Sequence, residues 1–495
     1  MSGWVGSGTV EDPIRVTFHP NDPLNPKNFK SSTKWSATLV MAFATFTVAL
    51  TSSAYSGGQW QVMREFGLSE LGSTLGMSLF VLGFSIGPVF WAPLSELYGR
   101  RPVFIVSFGV FTVFNAAAAG ARNATSLLVF RFLAGAFGSS PLSNGGGVVS
   151  DMFSADRRGS VSTLYAAAPS MGPVIGPLFG NFAAETISWR WILGICCAIS
   201  GTIWILGSLM PETYEPVILQ RIAKKLTKET GKIHASVLDD IEQTPRERAL
   251  NLLSTSILRP WQLLFYEPIC LLFAVLMAIA YGTLYLTFPA FPYVYGDVRG
   301  WSQGIAGLSF LGVGVGQIIG LLYYVWDNRR YRRVAKASPT GQAPPEARLP
   351  PCMVATIMLP AGLIVFAWTN SPNIHWIVSV LATVPFGFGL VILFLVTINY
   401  LLDVYTIYSA SAVAANTIMR SLLGFAFPLF TRKMFVNLGI HWAAMVPALL
   451  TLACLPFPFI FYKYGEAIRK RCKYAAHGAM MAARMRQSNE EMRET

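Results

Sequence analysis

The run Ala92-Pro93-Leu94-Ser95-Glu96-Leu97-Tyr98-Gly99-Arg100-Arg101-Pro102 joins two charge-free stretches, roughly residues 72–94 and 103–121. Each is about as long as the ~20 apolar residues that a helix needs to cross a bilayer. Gly99 permits a tight turn between them. Arg100 and Arg101 fall at a helix end, where the helix dipole and anionic lipid favour cations, and Glu96 can supply a counter-charge. The run reads as a short turn between two membrane helices.

Working outward, comparable apolar stretches recur at roughly 35–55, 72–94, 103–121, 125–149, 161–183, 190–210, 267–292, 302–326, 351–369, 374–401, 409–430 and 442–462. They form six spans, a long gap and six more. The composition requires such an arrangement: 53% of the 495 residues are apolar and only 13% charged, where a soluble domain carries about 25% charge. The fold class expected is an all-α polytopic membrane protein with twelve transmembrane helices in two six-helix bundles. The domains follow as a cytoplasmic N-terminal segment (1–34), an N-terminal bundle (35–210), a linker (211–265), a C-terminal bundle (266–462) and a tail (463–495). The first 34 residues lack the charged start and cleavable apolar stretch of a signal peptide, so the first span stays.

The cations set the orientation. With a cytoplasmic N-terminus, 30 of the 38 Lys and Arg fall on the cytoplasmic side, six fall outside, and Arg131 and Arg420 lie within spans. Both termini are expected in the cytoplasm. The net charge of +13 is thereby distributed over loops, not gathered on a base-stacking face, which excludes nucleic acid as a partner. In the linker, Val217, Ile218, Ile222 and Leu226 recur near helical spacing beside Arg221, Lys224, Lys225 and Lys228. That pattern suits a helix on an anionic membrane surface or a solvated linker helix. Residues 331–350, with Pro339, Pro344, Pro345 and Pro350, read as a flexible loop.

Six cysteines show neither a disulfide framework nor zinc spacing, and five scattered histidines form no metal cluster. No nucleophile elbow or phosphate-binding loop is present, so no catalytic residue, enzyme activity or metal is expected. Other residues stand out within spans. Gly172-Pro173-Val174-Ile175-Gly176-Pro177 kinks the fifth span and strips one face of side chains, allowing close helix packing. Arg131 and Arg420 are costly in a bilayer and call for a water-filled cavity or a buried partner. No Asp or Glu lies near the middle of a span, so a cavity holding these arginines suits a neutral or anionic solute better than a polycation. Glu267 and Asp403 sit at span edges, where carboxylates are usually solvated. Tyr281, Tyr285, Asn144, Gln317, Asn399 and Asn416 are cavity candidates, although helix-to-helix hydrogen bonds explain them equally well.

The run at 92–102 resembles the signature loop of the major facilitator superfamily, Gly-x-x-x-Asp-x-x-Gly-Arg-Arg, with Ala92 for the first Gly and Glu96 for the Asp. The resemblance implies a cytoplasmic gating loop formed by Glu96, Gly99, Arg100 and Arg101. Trp326-Asp327-Asn328-Arg329-Arg330 resembles a degenerate copy in the second half. The doubled Gly-Pro of Gly172, Pro173, Gly176 and Pro177 resembles the antiporter motif of that superfamily, and Arg131-Phe132-Leu133-Ala134-Gly135 its fourth-span arginine motif, implicated in proton coupling.

Asp22-Pro23-Leu24-Asn25-Pro26, Pro211-Glu212-Thr213-Tyr214, Pro345-Glu346-Ala347-Arg348 and Ala415-Asn416-Thr417-Ile418-Met419-Arg420 narrow the resemblance to fungal twelve-span drug:proton antiporters, near the polyamine and multidrug exporter branch. The resemblance implies proton-coupled export of a drug, secondary metabolite or organic acid by alternating access, with Arg131 and Arg420 in proton coupling or the cavity. A polyamine exporter, an uptake symporter and a membrane sensor are the alternatives. No cofactor is expected, the proton gradient being the energy source. The partners expected are the lipid bilayer, a small-molecule substrate and protons, with the chain a monomer in the plasma membrane or, second, an organellar one.

Overall fold

The computed structural model describes residues 6–9, 12–19, 21–153, 155–236, 245–338, 343–478 and 480–481. The N-terminal half is built from α1 (Ser31–Phe66), α2 (Glu70–Gly83), α3 (Gly87–Tyr98), α4 (Arg100–Ala119), α5 (Ala124–Met152), α6 (Ala155–Thr186) and α7 (Trp189–Ser208). Helices α2 and α3 form one crossing with a short break between them. Ser69 and Asn123 start α2 and α5 by accepting from the Gly72 and Ser126 backbone N–H. The linker carries α8 (Glu215–Thr230) and α9 (Pro245–Tyr266).

The C-terminal half repeats the scheme with α10 (Pro268–Phe291), α11 (Gln303–Gly307), α12 (Phe310–Ala337), α13 (Leu349–Thr369), α14 (Trp376–Tyr405), α15 (Ser409–Ala453) and α16 (Pro456–Arg471). A π-helical turn, Pro292–Val298, extends α10. Gly439, at φ 74°, interrupts α15, so its first part forms the eleventh crossing and the rest, with α16, the twelfth.

The bundle is apolar outside, and its interior mixes apolar and aromatic side chains with small or weakly polar ones. Val106, Val113, Ile205, Leu322 and Trp442 are exposed on its flank. Thr45, Ser52, Ser53, Ser107 and Thr283 are buried and return their hydroxyls to carbonyls three or four residues back. Helix α1 packs along α6, α10 along α15, and α13 along α14.

The N-terminal segment around Ile14–Phe18 meets the linker at one end of the bundle. Ile14–Arg15 pairs in parallel with His234–Ala235, and Val16 packs with Leu219 and Ala223 of α8, with Phe18, Ile222 and Leu226 beside them. The apolar face of α8, read in the sequence as membrane-facing or solvated, is covered by the N-terminal segment of the same chain.

A second departure concerns the 331–350 loop. Helix α12 runs through residues 326–337, so Trp326–Arg330 lies within a helix and not in a turn. Pro339 is outside the described residues, and residues 345–348 form a 3-10 turn.

The halves are joined directly at mid-depth and at the end opposite the linker. Ser52 Oγ and Tyr285 OH lie 2.8 Å apart, Gln303 donates to the Gly57 carbonyl, the Gly304 N–H donates to Glu185 Oε1 at 2.7 Å, and Arg432 Nε meets Glu70 Oε1 at 3.0 Å. The Gly304 N–H, aided by the Ser302 hydroxyl, holds Glu185 below the usual carboxylate range.

Candidate functional site

A cleft of about 40 Å³ lies between the halves. Ala49, Phe84 and Pro173 line it from the N-terminal half; Tyr281, Gln317, Phe394 and Arg420 line it from the other. The Arg420 side chain is 8% exposed, its guanidinium carbon lies 5.2 Å from the Tyr281 ring centroid and 5.0 Å from that of Phe394, and its Nε has no hydrogen-bond partner. Gln317 is fully buried, and neither its amide nitrogen nor its amide oxygen has a partner. Among the described residues, no Asp or Glu lines the cleft.

Arg131 is treated differently. It is fully buried, and its Nε, Nη1 and Nη2 donate to the carbonyls of Gly76 at 2.9 Å, Thr51 at 3.2 Å and Ser52 at 3.2 Å. Its guanidinium also lies over Tyr55 and Phe80, at 4.9 and 4.2 Å. One side chain thus ties α5 to α1 and α2. The buried partner that the sequence called for is backbone carbonyl and aromatic face, not a carboxylate.

The other candidates divide. Tyr281 and Gln317 line the cleft, and Tyr285 spans the halves through Ser52. Asn144 accepts from Ser95 Oγ at 3.0 Å and donates to the Trp91 carbonyl; Asn399 donates to Tyr324 OH at 3.1 Å; Asn416 donates to the Phe273 carbonyl. These three hold helices together and do not line the cleft.

The Gly-Pro pairs sit where α6 meets α1. A Cβ on Gly176 would lie 2.0 Å from Ser53 Oγ and 2.8 Å from the Leu50 carbonyl oxygen, so the two backbones approach as only glycine allows. The preceding Pro173 reaches the cleft wall. On Gly172 a Cβ would crowd Ala49 and the Leu50 nitrogen, while the Pro177 carbonyl faces Gly307 across the halves.

At the linker end, Gly99 takes φ 103°, and a Cβ there would fall 2.2 Å from Glu212 Oε2. That carboxylate accepts from the N–H of Arg100 at 2.8 Å, Arg101 at 3.3 Å and Thr213 at 2.9 Å. Arg100 reaches Asp151 at 3.3 Å and Ser95 Oγ at 2.6 Å, and Arg101 donates to the Ser208 carbonyl at 2.8 Å. The acid that holds the turn's backbone is Glu212; Glu96 is partnered as well. Burial outweighs the nearby Arg100 and pushes the Asp151 carboxyl up to about 6.

The second half carries its own network. Asp327 and Arg330 pair at 2.6 Å across one helical turn, Arg348 pairs with Asp403, and Arg469 pairs with Glu346 at 2.8 Å. Asp403 is therefore not simply solvated. Nor is Glu267: it is 1% exposed and accepts from Tyr405 OH at 3.2 Å and the Tyr474 N–H at 2.7 Å.

Asp151, Glu212, Glu346, Arg348 and Arg469 received no role from the sequence. The available signal was their position, since each is a charged group just beyond an apolar run at the linker end.

The family model described as Major Facilitator Superfamily matches residues 41–428. The chain is 52% identical over 490 residues to the major facilitator superfamily multidrug transporter mdrA of Aspergillus fumigatus, covering 99% of this chain and 80% of that protein. It is 53% identical over 485 residues to the MFS-type efflux pump MFS2 of Trichophyton rubrum, covering 98% and 81%. Among solved structures, the proton:xylose symporter XylE superposes with a TM-score of 0.62 at 16% identity, over 88% of this chain and 96% of that one, a likeness of fold.

Proposed function

The chain belongs to the major facilitator superfamily, and from that premise we propose that it is a proton-coupled exporter of small organic solutes working by alternating access. The observation that carries this reading is the cleft between the halves, walled by apolar and aromatic side chains, in which the Arg420 Nε and the Gln317 amide have no hydrogen-bond partner among the described residues. Relatives named as a multidrug transporter and an efflux pump, matched along nearly the whole chain, support export over uptake.

At about 40 Å³ the cleft is far smaller than the ~300–1,000 Å³ pockets that hold drug-sized ligands. A solute therefore enters only when the halves move apart. In this reading four direct contacts, Ser52 to Tyr285, Gln303 to Gly57, Gly304 to Glu185 and Arg432 to Glu70, hold the far end shut while the linker end, where α9 packs on both α3 and α15, opens first. In this reading the linker and both termini face the cytoplasm, the Gly99–Arg101 turn and Glu212 hold the N-terminal half together as it rocks, and opening outward breaks those four contacts. Arg131 fixes α5 against α1 and α2 through that motion, and Arg420 faces the solute. The reading places the chain in the plasma membrane as a monomer that uses the proton gradient and no cofactor.

A polyamine cargo is disfavoured because no carboxylate lines the cleft among the described residues. The test is solute-dependent proton movement by purified protein in liposomes under an imposed pH gradient, screened with an organic acid, a neutral amphipathic drug and a polyamine. Proton exchange with the acid or the drug supports the reading. Exchange with the polyamine alone overturns its charge argument, and no exchange with any of the three removes the exporter.

A further inference from the structure

We propose that Arg420 and Gln317 form a seat for a single carboxylate, so that the preferred solutes are amphipathic monocarboxylates with an aromatic or apolar body. The inference rests on the reading of the cleft as the solute site. It starts from an imbalance. Arg420 is more than nine-tenths buried, yet no described residue hydrogen-bonds or pairs with it. Tyr281 and Phe394 lie against the guanidinium and stabilise its charge, but aromatic faces leave its in-plane N–H groups without acceptors. Gln317 lines the same cleft with an equally unused amide. Buried donors of this kind are ordinarily satisfied.

The missing partner can be described from its surroundings. It must accept from a planar fork of N–H donors, which a carboxylate does with two oxygens at once. The Gln317 amide nitrogen, on the wall of the same cleft, supplies a further donor. Among the described residues no second cation lines the cleft, and the rest of the wall includes Ala49, Leu142, Leu284 and Leu390. A phosphate dianion would leave oxygens facing hydrocarbon, whereas a monoanion has its charge balanced by Arg420 and lays its apolar body along the leucines and aromatic rings. Arg131 supplies the contrast: with three carbonyl acceptors already in place, it has no such vacancy.

The experiment measures binding of three matched probes, 4-butylbenzoate, 4-butylbenzamide and 4-butylbenzylammonium, to the full chain in nanodiscs of zwitterionic lipid. No lipid there carries a net negative charge that could compete. The benzoate is expected to bind about ten-fold or more tightly than the amide, and the ammonium more weakly than either. Arg420→Gln should bring the benzoate down to the affinity of the amide, and Arg420→Lys should retain part of the preference through charge without the fork. Gln317→Leu should weaken the benzoate about three-fold or more without lowering the melting temperature, because it breaks no protein hydrogen bond. This variant carries the test if Arg420→Gln does not fold.

Equal affinities for benzoate and amide, a preference for the ammonium, no binding of any probe, or a preference surviving Arg420→Gln and Gln317→Leu would each overturn the seat. Proteoliposome transport separates this from the wider reading. A carboxylate preference without gradient-driven movement keeps the seat and removes export, while gradient-driven movement of amide and acid alike keeps export and removes the seat.

Discussion

Arg131 and Arg420 are the same residue type in comparably buried places, one in each half, and the protein treats them in opposite ways. Arg131 has its guanidinium nitrogens on three carbonyls from α1 and α2. Arg420 packs against two rings, lines the cleft and leaves its Nε unsatisfied. A buried arginine in a membrane protein is costly wherever it lies. At Arg131 the fold offsets that cost internally and gains a fixed junction of three helices. At Arg420 the cost is left for an occupant of the cleft to offset. The first arrangement predicts a structural residue and the second a binding residue, although their burial is nearly the same.

The largest expected effect is that of Arg131→Ala. It removes three charge-assisted hydrogen bonds and two cation–π contacts and leaves a void between α5, α1 and α2, a loss of about 3–5 kcal/mol. Scanning fluorimetry of the purified variant should show a melting temperature well below that of the wild type, and liposome transport should be lost with it. A variant that melts within a degree or two of wild type while losing transport would make Arg131 a functional group like Arg420, and the comparison would fail.

Next comes Gly176→Ala. Helix α6 meets α1 with no room for a Cβ, which would fall 2.0 Å from Ser53 Oγ. Overpacking there is expected to cost about 1–3 kcal/mol. If the N-terminal half is the internally fixed one, this variant should also lower the transport rate; a full-rate variant would show that the seam yields without consequence.

The same contrast governs what the sequence could tell. Apolar runs are imposed by lipid on every membrane helix, so the twelve crossings were legible in residues 35–462 without any partner being known. Polar groups inside those runs were not. Asn144, Asn399, Asn416, Gln317 and Tyr281 look alike in sequence, because a hydrogen bond between helices and a cleft-facing group both place a polar side chain in an apolar stretch. Only packing separates them: Asn144 bonds with Ser95, while the Gln317 amide has no hydrogen-bond partner among the described residues.

Long-range partners were hidden for another reason. Arg100 finds Asp151 and Glu212 at separations of 51 and 112 residues, which no local spacing encodes. Helix α12 outran its apolar stretch because the Asp327–Arg330 pair supports a further helical turn in a polar setting.

A smaller effect belongs to Asp151, whose carboxyl burial raises to about 6. Between about pH 4 and pH 6 the folded protein keeps a proton there that the unfolded chain has released, so this residue's contribution favours the folded state at low pH and fades as pH rises through that window. Asp151→Asn should remove that dependence. The difference in melting temperature between variant and wild type should change by about 2–4 °C across the window and be flat above it. A difference independent of pH would place Asp151 in contact with solvent and weaken the view of the N-terminal half as closed on itself.

The smallest expected change, and the one that bears most directly on the comparison, is the stability of Arg420→Met. Two cation–π contacts are lost, each about 0.5–1 kcal/mol, and relief of the unpaired cation's desolvation acts in the opposite direction. The melting temperature should therefore stay within about 2 °C of wild type, corresponding to a net change below about 1 kcal/mol, while binding at the cleft is lost. Arg131→Ala and Arg420→Met would then form a reciprocal pair, one destabilising and the other stability-neutral. A large destabilisation by Arg420→Met would mean that the protein itself supplies the missing partner in some state of its cycle, and that the cleft closes on Arg420 as α1 and α2 close on Arg131.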